Sequence, residues 1–125
     1  MSKKQPTVLV VEDDVWLAEL EVRALTKGGF HAVHAPHAPA AMVAIDKVKP
    51  DVLVLDVLLG GATIFALLHE LQSYDDTGAI PIILCTNMAD SLHLDELKSY
   101  GVRRVVDKTT MKPDDLVAAV RSVLL

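Results

Sequence analysis

Cysteine is almost missing from this 125-residue chain. Cys85 is the single one, so no internal disulfide braces the fold, and its setting in Ile82-Ile83-Leu84-Cys85 predicts a buried, reduced thiol of a cytoplasmic protein. No base stands beside it in sequence, which argues against a catalytic nucleophile. Aromatic residues are as scarce, at 4%, so the core must be built from aliphatic side chains. Basic residues are outnumbered, 12 against 17 acids for a net charge of -5, which leaves no footprint for a phosphate backbone and disfavours direct nucleic-acid binding. Long hydrophobic runs are lacking too. The start, Met1-Ser2-Lys3-Lys4-Gln5-Pro6, leads only into the short run Thr7 to Val11 before Glu12, too little for a signal-peptide core. Val52 to Leu68 is crossed by Asp56 and Gly60-Gly61 and reads as strand, loop and helix, not as a membrane span. What remains is a soluble chain, 51% hydrophobic, of a length that suits one domain over residues 1–125 with residues 1–6 as a loose lead.

The order of elements is regular. Thr7 to Val11 is apolar without alternation, as a strand buried on both faces reads, and Glu12-Asp13-Asp14 ends it. From Val15 to Lys27, Val15, Ala18, Val22 and Leu25 recur at helical spacing, and Gly28-Gly29 closes the segment. Phe30 to His34 reads as a second strand and Ala40 to Val48, entered through Pro39, as a second helix. Asp51 to Leu55, Ile80 to Cys85 and Val102 to Val106 are further strands, while Ile64 to Ser73, Asp90 to Tyr100 and Pro113 to Leu124 are further helices. Five strands alternating with five helices predict a flavodoxin-like, doubly wound parallel sheet in the order 2-1-3-4-5, inside a three-layer α/β/α sandwich. Sites in such sheets lie outside the carboxyl ends of the strands.

Chemistry collects at that edge. Glu12 and Asp13 follow strand 1, Asp56 follows strand 3, Thr86 follows strand 4, and Lys108 lies just beyond strand 5. Three carboxylates in one place repel one another unless a hard cation such as Mg2+ binds among them through oxygen ligands. Asp56 sits in Val52-Leu53-Val54-Leu55-Asp56-Val57-Leu58-Leu59, where an unpaired charge is costly, so pairing or metal binding is expected. A carboxylate held in this way can attack phosphorus to give an acyl phosphate, with Lys108 neutralising and Thr86 donating to the phosphoryl oxygens. Asp14, at the start of the helical periodicity, reads as its N-cap. His31, His34, His37, His69 and His93 show no metal-binding spacing and receive no role.

Four fragments, Val8-Leu9-Val10-Val11-Glu12-Asp13-Asp14, Pro50-Asp51-Val52-Leu53-Val54-Leu55-Asp56, Ile80-Pro81-Ile82-Ile83-Leu84-Cys85-Thr86 and Gly101-Val102-Arg103-Arg104-Val105-Val106-Asp107-Lys108, succeed one another in a familiar order. Through them the whole chain resembles the receiver domain of two-component response regulators, of the chemotaxis-regulator type. The resemblance implies that Asp56 accepts a phosphoryl group from a histidine kinase or histidine phosphotransfer protein. It further implies that Glu12, Asp13, Asp56 and the backbone carbonyl of Leu58 hold Mg2+, that Thr86 is the switch hydroxyl, and that Lys108 pairs with the phosphate. Such a domain is a signalling switch that assists only its own phosphorylation and dephosphorylation. Its signal then leaves through a downstream protein, an output domain outside this sequence, or a homodimer formed by the fourth helix, fifth strand and fifth helix, with no membrane involved.

The sequence also departs from the family pattern. Val57 to Ile64 has Gly60-Gly61 in place of the usual proline and later Asp-Gly, which predicts a mobile loop. Lys108 is followed by Thr109 where a cis-proline is usual, which predicts a trans bond and an altered loop. Val105 replaces the usual aromatic residue, and Asn87 replaces a small residue beside the site. These departures motivate an alternative, a degenerate receiver acting as a phosphorylation-independent interaction module. An aspartyl phosphatase needs a general acid where Leu58 stands, and a flavodoxin needs a phosphate-cradling loop where Glu12-Asp13-Asp14 stands, so both fit less well.

Overall fold

The computed structural model describes residues 5–56, 58–59, 62–87 and 94–124. Strand β1 (Thr7–Val11) is buried at every position, as its unbroken apolar sequence requires of a strand covered on both faces. It lies between β2 (His31–Ala35) and β3 (Val52–Leu55), with β6 (Ile82–Thr86) and β7 (Val102–Asp107) beyond. The sheet order is β2-β1-β3-β6-β7, and every neighbouring pair in it is parallel. With the short β4 (Leu58–Leu59) and β5 (Ala62–Thr63) set apart, this is the predicted 2-1-3-4-5 order of the flavodoxin-like fold.

Alternate residues of these strands feed two separate cores. Val8, Val10, Val52, Val54, Ile83 and Cys85 pack on one face with Leu25 of α1 (Val15–Lys27) and Leu116, Val117 and Val120 of α6 (Pro113–Val123). Leu9, Leu53, Leu55 and Leu84 pack on the other, against Ile45 of α2 (Ala38–Val48), Leu67, Leu68 and Leu71 of α3 (Phe65–Gln72), and Leu97 of α5 (Leu94–Leu97). These are the three layers. Helix α1 is capped by Asp14, whose Oδ1 accepts from the Leu17 amide at 3.2 Å. At its other end Gly28 lies so close to α6 that a Cβ there would sit 2.8 Å from Cγ1 of Val117. Arg121 of α6 donates to the Gly28 carbonyl at 2.8 Å and ties the same two helices together.

Several boundaries move for identifiable reasons. Helix α2 starts at Ala38 rather than Ala40 because the His37 ring caps it, Nδ1 accepting from the Ala40 amide at 3.1 Å. The predicted third helix, Ile64 to Ser73, forms as α3, and a single further turn, α4 (Asp75–Gly78), follows it, where the Thr77 hydroxyl donates to the Leu71 carbonyl. Strand β6 runs through Thr86, and β7 runs through Asp107. Of the predicted helix Asp90 to Tyr100, residues 90–93 lie outside the described residues, and the remainder forms α5 and a 3-10 turn, Lys98–Tyr100, closed by Gly101 at φ +88°. Within the segment expected to be a mobile loop after Asp56, Leu58 pairs antiparallel with Thr63 and Leu59 with Ala62, while Val57 and Gly60-Gly61, on which that expectation rests, lie outside the described residues. In α1 the buried positions are Ala18, Glu21 and Leu25, whereas Val15, expected on that stripe, is 68% exposed. Among the described residues, no helix is long and apolar enough to cross a membrane.

Candidate functional site

Strand register assembles the site. Val11 of β1 pairs with Leu55 of β3, so the next residues along, Glu12 and Asp56, leave the sheet side by side. Thr86 of β6 pairs with Asp107 of β7, and the next residue, Lys108, donates its amide to the Thr86 carbonyl at 3.0 Å. A one-residue slip in either pair would turn these side chains to the opposite face. Glu12, Asp13, Asp56, Thr86 and Lys108 are therefore all brought to the carboxyl edge, where the sequence placed them.

Glu12, Asp13 and Asp56 each present a carboxylate oxygen, and the three lie within 4.8 Å of one another. Glu12 is buried, Asp56 half-buried and Asp13 exposed, so the cluster runs from the interior to solvent. The Lys108 ammonium is inserted between the two inner acids, donating to Asp56 Oδ2 at 2.7 Å and to Glu12 Oε1. The other Glu12 oxygen, Oε2, accepts from the Asp14 amide at 3.2 Å. Burial pushes the Glu12 carboxyl above its ordinary range and outweighs the opposing effect of Lys108. For Lys108, burial acts downward, but the hydrogen bonds to Asp56 and Glu12 prevail and raise its pKa, so the ammonium stays charged. Three acids against one ammonium leave a surplus of negative charge on hard oxygen donors. That donor set fits a divalent cation such as Mg2+.

Thr86 is buried, 1% exposed, at the end of β6. Beyond Lys108 the chain agrees with the trans expectation, since no cis peptide bond occurs among the described residues. Asp107 fixes this turn by accepting from both the amide of Thr109, at 2.9 Å, and its hydroxyl, at 2.6 Å. Side-chain bonds take over the local ordering that a proline ring would otherwise supply. Val105 packs against the core on the α2 and α3 side, and Asn87 is exposed. Leu58 opens β4, two residues past Asp56.

Two residues around the site escape the sequence reading. His34 on β2 donates from its ring Nε2 to the backbone carbonyl of Glu12 at 2.7 Å and so helps to fix the turn that carries the acids. Histidine spacing gives no hint of it; only the β1–β2 register, with Val10 opposite His34, brings the two together. Glu21, on the inner face of α1, is 2% exposed, and burial with the added negative charge of Glu12 pushes its carboxyl up to about 7. Its spacing from Ala18 and Leu25 is the signal that could have marked it as inward-facing. The Cys85 thiol is buried, free and pushed up by burial, and it donates to Met111 Sδ at 3.4 Å.

Comparison with known proteins agrees with this geometry. The response regulator receiver domain family matches residues 8–121. The DNA-binding response regulator MtrA of Mycobacterium tuberculosis (strain ATCC 25618 / H37Rv) is 30% identical over 127 residues, covering 99% of this chain and 53% of MtrA. The chain thus spans about half the length of that curated relative. Among solved structures, the signal receiver domain of a signal transduction histidine kinase from Syntrophus aciditrophicus superposes with a TM-score of 0.80 at 26% identity, covering 95% of this chain and 89% of that one. The chemotaxis response regulator CheY4 of Vibrio cholerae shares the fold, with a TM-score of 0.82 at 20% identity over 95% of this chain and 98% of CheY4.

Proposed function

The chain belongs to the response regulator receiver domain family, and from that premise we propose that Asp56 is its phosphoacceptor, charged by a histidine kinase or histidine phosphotransfer protein. The observation that carries the reading is the Lys108 ammonium bridging Asp56 and Glu12 within a cluster of three acids. A structural loop lysine has no reason to be held there.

An Asp56 carboxylate oxygen attacks the phosphorus of a phosphohistidine, the P–N bond breaks, and the electron pair returns to the imidazole, which takes a proton as it leaves. The product is an acyl phosphate. Lys108 moves with the charge, exchanging its bond to Asp56 Oδ2 for one to a phosphoryl oxygen. The Thr86 hydroxyl donates to a second. Glu12, Asp13, Asp56 and the carbonyl of Leu58 are the residues that would hold Mg2+, which when bound supplies positive charge to the phosphoryl group. Leu58 stands where an aspartyl phosphatase carries its general acid, so hydrolysis has no built-in proton donor there and the phosphorylated form persists as a signal.

The phosphoryl group biases a pre-existing equilibrium of the surface formed by α5, β7 and α6. That surface then engages a downstream protein, an output domain or a second copy of the chain. MtrA is a DNA-binding response regulator; the -5 charge of this chain argues against a phosphate-backbone footprint and supports assigning any DNA contact to another segment or partner. Incubation with Mg2+ and acetyl phosphate, with the product weighed by intact mass spectrometry, tests the proposal. One phosphate adduct, absent in Asp56→Asn, is expected; wild-type protein without an adduct would leave the phosphorylation-independent interaction module as the reading.

A further inference from the structure

The chain leaving β7 holds the backbone of Lys108 from both sides. Upstream, the Lys108 amide donates to the Thr86 carbonyl at 3.0 Å and so extends the β6–β7 pairing one residue past the strand. Downstream, the Thr110 amide donates to the Asp107 carbonyl at 3.3 Å, closing a turn with Lys108 and Thr109 as its central residues. Past the turn, Met111 Sδ accepts from the Cys85 thiol at 3.4 Å, which returns the chain to β6. No proline stiffens this segment, which reads Asp107-Lys108-Thr109-Thr110-Met111-Lys112.

A pair of side-chain bonds across Lys108 takes that place. Asp107 Oδ1 accepts from the Thr109 amide at 2.9 Å and from the Thr109 hydroxyl at 2.6 Å. The neighbours of the lysine are thereby bonded to each other, and its backbone is enclosed in the ring they form. The hydroxyl bond first, and then the amide bond, hold the Asp107 carboxyl below its ordinary range, so at neutral pH it accepts as a carboxylate. Thr109 is β-branched and stiff at χ1, which limits the entropy lost when its hydroxyl is fixed.

An Asp that accepts from the amide two residues on is by itself an ordinary turn device. The residue enclosed makes the difference here. Lys108 sends its side chain inward, 7% exposed, onto Asp56 Oδ2 at 2.7 Å and onto Glu12. A rotation of its backbone would swing the ammonium off both carboxylates. Asp107 gives no bond to that ammonium, whose partners are Glu12 and Asp56. Asp107 is half-buried and Thr109 exposed, and both lie outside the two cores, so their side chains can be removed without disturbing the packing. We propose that Asp107 and Thr109 are positioning residues for phosphoryl transfer, bonded to each other so that the Lys108 backbone stays fixed while its ammonium passes from Asp56 to the incoming phosphoryl group. The proposal rests on the reading of Asp56 as the phosphoacceptor. Both residues act through Lys108, and loss of aim costs rate, since a misplacement of about 1 Å can lower a rate on the order of 10²-fold.

Three variants separate the parts. Asp107→Ala removes both bonds, Thr109→Val removes the hydroxyl bond alone, and Asp107→Asn keeps both through its amide oxygen while removing the charge. With Mg2+ and acetyl phosphate, the phosphorylation rate should fall at least about tenfold in Asp107→Ala, by less in Thr109→Val, and stay near wild type in Asp107→Asn. Mg2+ affinity, read from Trp16 fluorescence, should be the same in all of them. A second readout needs no phosphate. An ammonium buried between two carboxylates exchanges slowly with water, so a proton–nitrogen correlation signal of Lys108 Nζ, identified by its loss in Lys108→Met, is expected in wild type and Asp107→Asn and absent in Asp107→Ala. Wild-type protein that takes no phosphate would defeat the phosphoacceptor reading, while the Nζ signal would still test the hold on Lys108. An Nζ signal missing from wild type or unchanged in Asp107→Ala, an unchanged rate in Asp107→Ala, or an Asp107→Asn variant equally slow would overturn the proposal.

Discussion

Lys108 donates to Asp56 Oδ2 at 2.7 Å, and the same ammonium bonds Glu12, with the lysine side chain only 7% exposed. An ammonium buried this far is stable because two carboxylates share it, and the carboxylates are stable because it is there. The ammonium is thereby held at the point where phosphoryl oxygens would arrive on Asp56. A phosphoryl group on Asp56 removes one carboxylate partner and supplies others, so Lys108 can move to it without leaving the interior.

Replacing Lys108 by methionine keeps the volume and removes the charge. Glu12 and Asp56 then face each other unpaired, and removing one partner of a buried ion pair typically costs about 3–5 kcal/mol. In metal-free buffer the midpoint of urea unfolding should fall accordingly, with Mg2+ restoring part of the loss. A variant as stable as wild type without metal would show that the bridge contributes nothing.

Removing one acid tests the metal reading separately. Asp13 is the exposed member of the cluster, so Asp13→Asn should leave the fold intact while lowering Mg2+ affinity at least about tenfold, or ~1.4 kcal/mol. Fluorescence of Trp16, 79% exposed and close in sequence to the acids, or calorimetry reads the binding. Equal affinity in wild type and variant would place the ion elsewhere.

Glu21 predicts a pH dependence with a definite sign. Its carboxyl is raised from 4.5 to about 7 in the folded state, so below about pH 4.5 both folded and unfolded chains hold the proton and no penalty arises. Between these values the unfolded chain ionises first, stability falls with rising pH, and above the upper value the full cost, on the order of 3 kcal/mol, is present. Glu21→Gln lacks this contribution. The stability difference between wild type and variant, measured by urea unfolding across the interval without metal, should fall as pH rises; a flat difference contradicts the burial of an unpaired acid.

His34 makes the smallest prediction. Its ring N–H reaches the Glu12 carbonyl, and a hydrogen bond of this kind contributes about 1 kcal/mol net. His34→Ala should lower stability by about that amount and broaden the amide signals of residues 12–14, while His31→Ala, for which no such bond occurs among the described residues, should not.

Most of the fold is legible in the chain because buried parallel strands write their burial directly: Thr7 to Val11 and Val52 to Leu55 are continuous apolar runs, and the acids that stop them mark the functional edge. Thr86 and Lys108 could be found by position alone, since each ends or succeeds a strand. His34 and Glu21 could not be found in that way. Their partners are distant in sequence or missing, and only the strand register and the helix packing reveal their surroundings. The β4–β5 pair is hidden for another reason, because two-residue strands around glycines carry too short a pattern to separate from a loop.

Borohydride reduction after exposure to Mg2+ and acetyl phosphate tests the central claim most directly, since it converts an aspartyl phosphate to homoserine and marks the residue that carried it. Peptide mapping should find homoserine at position 56 in the wild-type protein and at no other aspartate. Homoserine at another aspartate, or at none, would contradict the assignment of Asp56 as the phosphoacceptor.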